Sequence, residues 1–135
     1  MYTLKEKSSY KMQTLKDLND LRLYLITDRS LFKDQKYFLT AVEEALIGGV
    51  KALQLREKDL PDSELTKLGI QLRILTSNYK AKLIINSRSD IAEKIGADGV
   101  HLTETSVHAN EIKSNFPDLI VGVSTHSLEG AHLAE

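Results

Sequence analysis

From Leu21 onward, short apolar runs alternate with stretches whose apolar positions recur at helical spacing. The runs are LRLYLIT (21–27), VKALQLR (50–56), KLIIN (82–86), GVHL (99–102) and LIVGVS (119–124), and each reads as a strand. Between the first two, Phe38, Ala41, Val42, Ala45 and Leu46 fall at the i, i+3, i+4, i+7, i+8 positions of an amphipathic helix that ends at Gly48-Gly49. Leu65, Leu68, Leu72 and Leu75 stripe a second helix from about Asp62 to Tyr79, with Pro61 as its start signal. Shorter helices are predicted at about 89–95 and 107–116, the second stopped by Pro117, and a last one begins near Ser127. Residues 1–20 are polar, carry Lys5, Lys7, Lys11 and Lys16, and predict an arm or an extra first helix ahead of a domain at 21–135.

Strict strand–helix alternation demands parallel strands, because only a crossover of roughly a dozen residues brings the chain back to start another in the same direction. Two α/β architectures satisfy it. One is an open doubly wound sheet of five strands; the other is five units of a (β/α)8 barrel, which typically needs ~250 residues. Length alone favours the first. The helix-to-strand junctions IGGV (47–50) and IGADGV (95–100) read as glycine caps at the N-terminal end of the sheet, and no G-x-G-x-x-G opens a helix after a strand.

Composition narrows the function classes. Hydrophobic residues make up 41% and charged residues 27% of 135, close to ordinary globular usage. There is no secretory h-region and no run approaching the ~18 apolar residues of a membrane span. Eighteen basic residues against 19 acidic ones leave a net charge of -1, so nothing draws the whole chain toward nucleic acid or anionic lipid, and any anion site must be local. The absence of cysteine removes disulfides, thiolate metal sites and a Cys nucleophile, and fits a reducing cytoplasm.

The candidate chemistry sits at strand ends. In the second strand, Val50, Ala52, Gln54 and Arg56 point to one side and Leu53 and Leu55 to the other, and Lys58 continues the first side if the chain stays extended. An amide, a five-donor guanidinium and an ammonium then converge at the C-terminal mouth, where α/β proteins bind ligands; the set suits a phosphate or pyrophosphate. The alternative is a solvated strand end with Arg56 or Lys58 paired to Glu57 or Asp59. Asn86 ends the third strand at the same mouth, and Ser87 and Arg88 open its loop. The fourth strand offers His101, whose ordinary role would be a satisfied core histidine. The fifth offers Ser124 and then His126, whose unperturbed pKa of ~6.5 suits proton transfer in both directions. Ser127 can equally cap the following helix without any catalysis. Zinc spacing and the G-x-S-x-G elbow are both absent.

In this order LYLITD (23–28), QLREKD (54–59), IIN…D (84–90), GADGVHL (96–102) and GVSTHSLE (122–129) resemble thiamine phosphate synthase and its relative TenI, the thiazole tautomerase. The resemblance covers residues 21–135 and implies a TIM barrel of which about five βα units are present. It also implies that Gln54, Arg56, Lys58 and Asn86 hold the pyrophosphate of hydroxymethylpyrimidine diphosphate, with Ser124 as a further site residue. The two acids that bind Mg²⁺ in the synthase correspond here to Ser87 and Ser106, and two neutral hydroxyls replace two carboxylates poorly around that ion. TenI-type proteins also lack those acids, and their S-x-H-S histidine corresponds to His126. The expectation is therefore a cofactor-free thiazole tautomerase acting on phosphorylated thiamine precursors, with His126 as acid and base. REKD, however, is more synthase-like. The alternatives are the Mg²⁺-dependent synthase and a truncated, inactive binding protein or subunit. An incomplete barrel exposes two sheet edges and an apolar inner face, so either a homo-oligomer or a missing C-terminal half is expected to complete it.

Overall fold

The computed structural model describes residues 19–104 and 109–134. The predicted arm or extra first helix, as far as residue 18, and Ser106 lie outside the described residues. The chain runs β1 (Tyr24–Ile26), α1 (Gln35–Ile47), β2 (Ala52–Leu55), α2 (Asp62–Asn78), β3 (Lys82–Asn86), α3 (Ser89–Lys94), β4 (Gly99–Leu102), α4 (Ala109–Asn115), β5 (Ile120–Val123) and α5 (Leu128–Ala134). A single 3-10 turn, Arg29–Leu31, follows β1. The first strand is shorter than the predicted 21–27, because its pairing with β2 begins at Tyr24↔Ala52 and the residues before Tyr24 have no ladder to join.

All four strand pairs are parallel, in the order β1-β2-β3-β4-β5. A doubly wound sheet starts in its middle and winds outward both ways, so its strand order reverses; a consecutive order with right-handed crossovers puts every helix on one face. The architecture is thus α/β of the (β/α)8 barrel type with five βα units. β1 and β5 are the two edges of this sheet.

The two-residue alternation of the strands sorts side chains between two faces. Leu53, Leu55, Leu83, Ile85, Val100 and Leu102 join Phe38, Val42 and Leu46 of α1 and Leu65, Leu68 and Leu72 of α2 in one buried cluster. Burying each such side chain is worth about 1.5–3 kcal/mol. Val50, expected on the opposite side with Ala52 and Gln54, belongs to this cluster instead. It precedes the first paired residue of β2, so the alternation does not reach it.

Local signals close the elements, the glycine ends as predicted and the Asp34 cap as an addition. Asp34 caps α1 by accepting from the Tyr37 N–H at 3.1 Å. Gly49 (φ 107°) and Gly96 (φ 68°) hold the left-handed conformation after α1 and α3. At the N-terminal end of the sheet, Asp98 accepts from the Leu83 N–H at 2.8 Å and from Arg73 of α2 at 2.6 Å, with Lys82 at 3.8 Å. One carboxylate thereby ties α2 to β3 beneath the sheet.

Candidate functional site

On the face turned away from the helices, the strand register aligns Asn86, His101 and Gly122 in one row just below the mouth. Polar groups from four strands and from Ser124, just after β5, meet there in one chain of contacts. Asn86 Nδ2 donates to Gln54 Oε1 at 3.1 Å, and Gln54 Nε2 donates to the Tyr24 hydroxyl at 3.1 Å. That hydroxyl lies 3.5 Å from His101 Nδ1, at the outer limit of a hydrogen bond, and His101 Nε2 lies 2.8 Å from Ser124 Oγ. The donor and acceptor roles in these two contacts follow the tautomer: with the His101 proton on Nε2, the phenol donates to Nδ1 and Ser124 accepts, and with it on Nδ1 both roles reverse. Gly122 gives the imidazole its room: a Cβ there would stand 3.1 Å from Nδ1.

This network is neutral. Burial pushes the Tyr24 phenol up to about 12 and the His101 imidazole down from 6.5, so neither carries charge near pH 7. Gln54, only 2% exposed, is held from both sides. The network can orient donors toward a ligand, but it cannot supply charge. His101 is the satisfied histidine of the ordinary reading, with both ring nitrogens engaged.

Charge comes from the rim. β2 ends at Leu55, and Arg56 and Lys58 follow it, both exposed. The chain turns at Lys58 instead of staying extended. The sequence alternative, in which these cations pair with their neighbours, does not hold among the described residues. Glu57 accepts from the Arg29 backbone N–H at 3.0 Å and sits 3.6 Å from the Arg29 guanidinium, while Asp59 accepts from Arg29 at 2.8 Å. Buried Thr27 accepts from the Arg56 N–H at 3.0 Å. A cleft of about 430 Å³ between the loops after β1 and β2 is lined by Arg56 and Lys58, and an adjoining one of about 240 Å³ brings Lys58 together with Asn86 and Ser87. Lys58 thus lines one cleft with Arg56 and another with Asn86, and Asn86 is bonded to Gln54.

The remaining polar residues divide. Ser87 holds a left-handed conformation (φ 59°) unusual for a residue other than glycine, and its hydroxyl lies 3.5 Å from Asn86 Oδ1. Arg88 is bound to both Asp62 and Asp90, which raises its own pKa and lowers both carboxyls; it clasps α2 to the β3 loop. His126 is exposed, and its backbone N–H donates to Glu104 Oε1 at 3.3 Å. The structure joins Ser124 to the network and leaves the His126 side chain in solvent beside it. Ser127 does cap α5, accepting from the Gly130 N–H at 2.9 Å. No group of three or more His, Cys, Asp or Glu suited to a metal ion occurs among the described residues.

Sequence reasoning missed Tyr24, Thr27 and Arg29, and it offered Glu57 only as a partner of Arg56 or Lys58. For Tyr24 a signal existed: a phenol inside LYLIT, in step with the strand's inward positions, needs a buried partner. For Arg29 nothing local could serve, because its carboxylates lie 28 and 30 residues away.

Residues 23–135 match the family model described as thiamine monophosphate synthase (TMP-TENI). The chain is 52% identical over 114 residues to a putative thiamine-phosphate synthase 2 of Aquifex aeolicus, covering 84% of this chain and 60% of that one. It is 42% identical over 119 residues to a thiamine-phosphate synthase of Clostridium acetobutylicum, covering 86% and 55%. Among solved structures, a thiamine phosphate pyrophosphorylase from Pyrococcus furiosus is similar with a TM-score of 0.78 and 41% identity, over 86% of this chain and 55% of that one. The chain spans little more than half the length of these relatives. No helix among the described residues is long and apolar enough to cross a membrane.

Proposed function

This chain belongs to the thiamine monophosphate synthase family, and we propose that its mouth is the half-site that grips the diphosphate of a pyrimidine precursor during synthesis of thiamine phosphate. In that reaction the bond from the pyrimidine methylene carbon to the diphosphate oxygen breaks, a bond to the thiazole nitrogen forms, and pyrophosphate leaves. One observation carries the reading: Arg56 and Lys58 stand without ion-pair partners among the described residues and line one cleft together, and Lys58 lines a second with Asn86, whose amide belongs to the neutral network that holds Gln54. Negative charge grows on the departing diphosphate, and cations already in place stabilise it without reorganisation.

The family implies Mg²⁺, and the donors present do not fit an ion held by two carboxylates. Ser87 offers a neutral hydroxyl turned toward Asn86, and Ser106 is the other counterpart. Charge neutralisation at the leaving group therefore falls to Arg56 and Lys58. The relatives named as synthases favour coupling over the tautomerase expected from sequence. The tautomerase reading keeps one observation in its favour, the exposed His126 beside Ser124 at the same mouth.

The test follows both products from the two precursors across a Mg²⁺ titration of the full-length protein. Thiamine phosphate and pyrophosphate in equal amounts are expected. Thiazole isomerisation alone, independent of Mg²⁺ and lost in His126→Ala, would replace the synthase reading with the tautomerase. Precursor binding without turnover would leave a binding protein.

A further inference from the structure

Resting on the reading of the mouth as a diphosphate site, we propose that Arg29 is a positioning residue that keeps Arg56 and Lys58 available to the anion by sequestering the two carboxylates interleaved with them. The run Arg56-Glu57-Lys58-Asp59 alternates base and acid, and such a run in a loop tends to neutralise itself. The fold prevents that. Both carboxylates turn to Arg29, in the turn after β1: Glu57 accepts its backbone N–H at 3.0 Å and lies 3.6 Å from its Nε, and Asp59 accepts from its Nη2 at 2.8 Å.

Glu57 is committed to this arrangement, with its side chain only 5% exposed. The Arg29 Nε is itself buried and lacks a hydrogen bond, so the Glu57 carboxylate is the charge that compensates it. On the other side, Thr27 Oγ1 accepts from the Arg56 N–H and pins the start of the run. The loops after β1 and β2 are thereby stitched together around one cleft, in which the two acids are tied to Arg29, Glu57 buried and Asp59 exposed, while Arg56 and Lys58 line the same cleft outside any ion pair among the described residues. Without Arg29, the next cations along the chain for Glu57 and Asp59 are Arg56 and Lys58. Arg29 touches no ligand in this scheme; it acts through the charges it withdraws.

Titration calorimetry with inorganic pyrophosphate tests this in three proteins: the unaltered chain, Arg29→Gln, and the triple variant Arg29→Gln/Glu57→Gln/Asp59→Asn. The unaltered chain binds with an affinity that falls as salt rises. Arg29→Gln binds at least about tenfold more weakly, and the triple variant, which has no carboxylates left to neutralise the rim, returns to within about threefold of the unaltered chain. Recovery in the triple variant is the outcome a merely structural role cannot produce. Undiminished binding by Arg29→Gln overturns the proposal, and so does a folded triple variant that stays weak. If Arg29→Gln fails to fold, the triple variant alone decides by the same criterion. Absence of pyrophosphate binding in the unaltered chain overturns the diphosphate reading itself, and the role of Arg29 with it.

Discussion

The two ends of the sheet use the same residue types to opposite ends. At the N-terminal end, Asp98 gathers Arg73, Lys82 and the Leu83 N–H, and Lys51 donates to the Tyr79 carbonyl at 2.8 Å. Charge there is closed on itself and holds a helix to a strand. At the mouth, Arg29 and Arg88 are likewise closed on carboxylates, yet Arg56 and Lys58 remain open between them. Ion pairs at strand ends serve stability where both partners are matched; under the proposed function, bases serve recognition where the fold matches the acids elsewhere and leaves the bases over. Position in a strand does not separate the two cases; partner choice does.

The sharpest break of this comparison is Arg56→Ala/Lys58→Ala. Two charge-assisted contacts to an anion are expected to disappear, weakening pyrophosphate binding about 100-fold by calorimetry. Because both side chains are exposed and outside the ion pairs, urea unfolding should move by no more than about 0.5 kcal/mol. A stability loss above 1–2 kcal/mol would show that the rim cations hold the fold after all.

Asp98→Ala is the mirror experiment. It strands the Leu83 N–H and unpairs Arg73 at a position about a quarter exposed, so unfolding should become easier by roughly 2 kcal/mol. Pyrophosphate affinity should stay as it was. Lost affinity in a folded Asp98→Ala chain would mean that the two ends are coupled.

The smallest effect concerns His101. Its folded pKa is lowered from 6.5 by burial, so just below 6.5 the unfolded chain binds a proton that the folded chain refuses. Stability is therefore fully present above 6.5 and erodes as pH falls from 6.5 through the lowered folded value. Denaturant midpoints taken from pH 7.5 to 5 should show this slope in the native chain and a flatter one in His101→Gln.

The outline of the fold was legible because it rests on local rules. Leu65, Leu68 and Leu72 repeat at helical spacing, Leu53 and Leu55 at strand spacing, and Gly49 and Gly96 sit where left-handed caps are needed. Strand limits were less legible, since Val50 and Leu23 fit the apolar pattern but have no partner across the ladder. The candidate site was legible in part. Gln54, Asn86 and Ser124 are joined as their strand-end positions suggested, whereas His126 stands outside the network they form.

By itself, the sequence determined five βα units and their polar strand ends, and in a chain of nearly balanced charge it limited any anion site to a local one. These follow from backbone geometry, whose periods act over a few residues. Only the tertiary structure decided which acid answers which base, and which phenol reaches which imidazole across 77 residues. Electrostatic and hydrogen-bond partners are chosen by distance in space, and the consecutive parallel order of the strands set those distances.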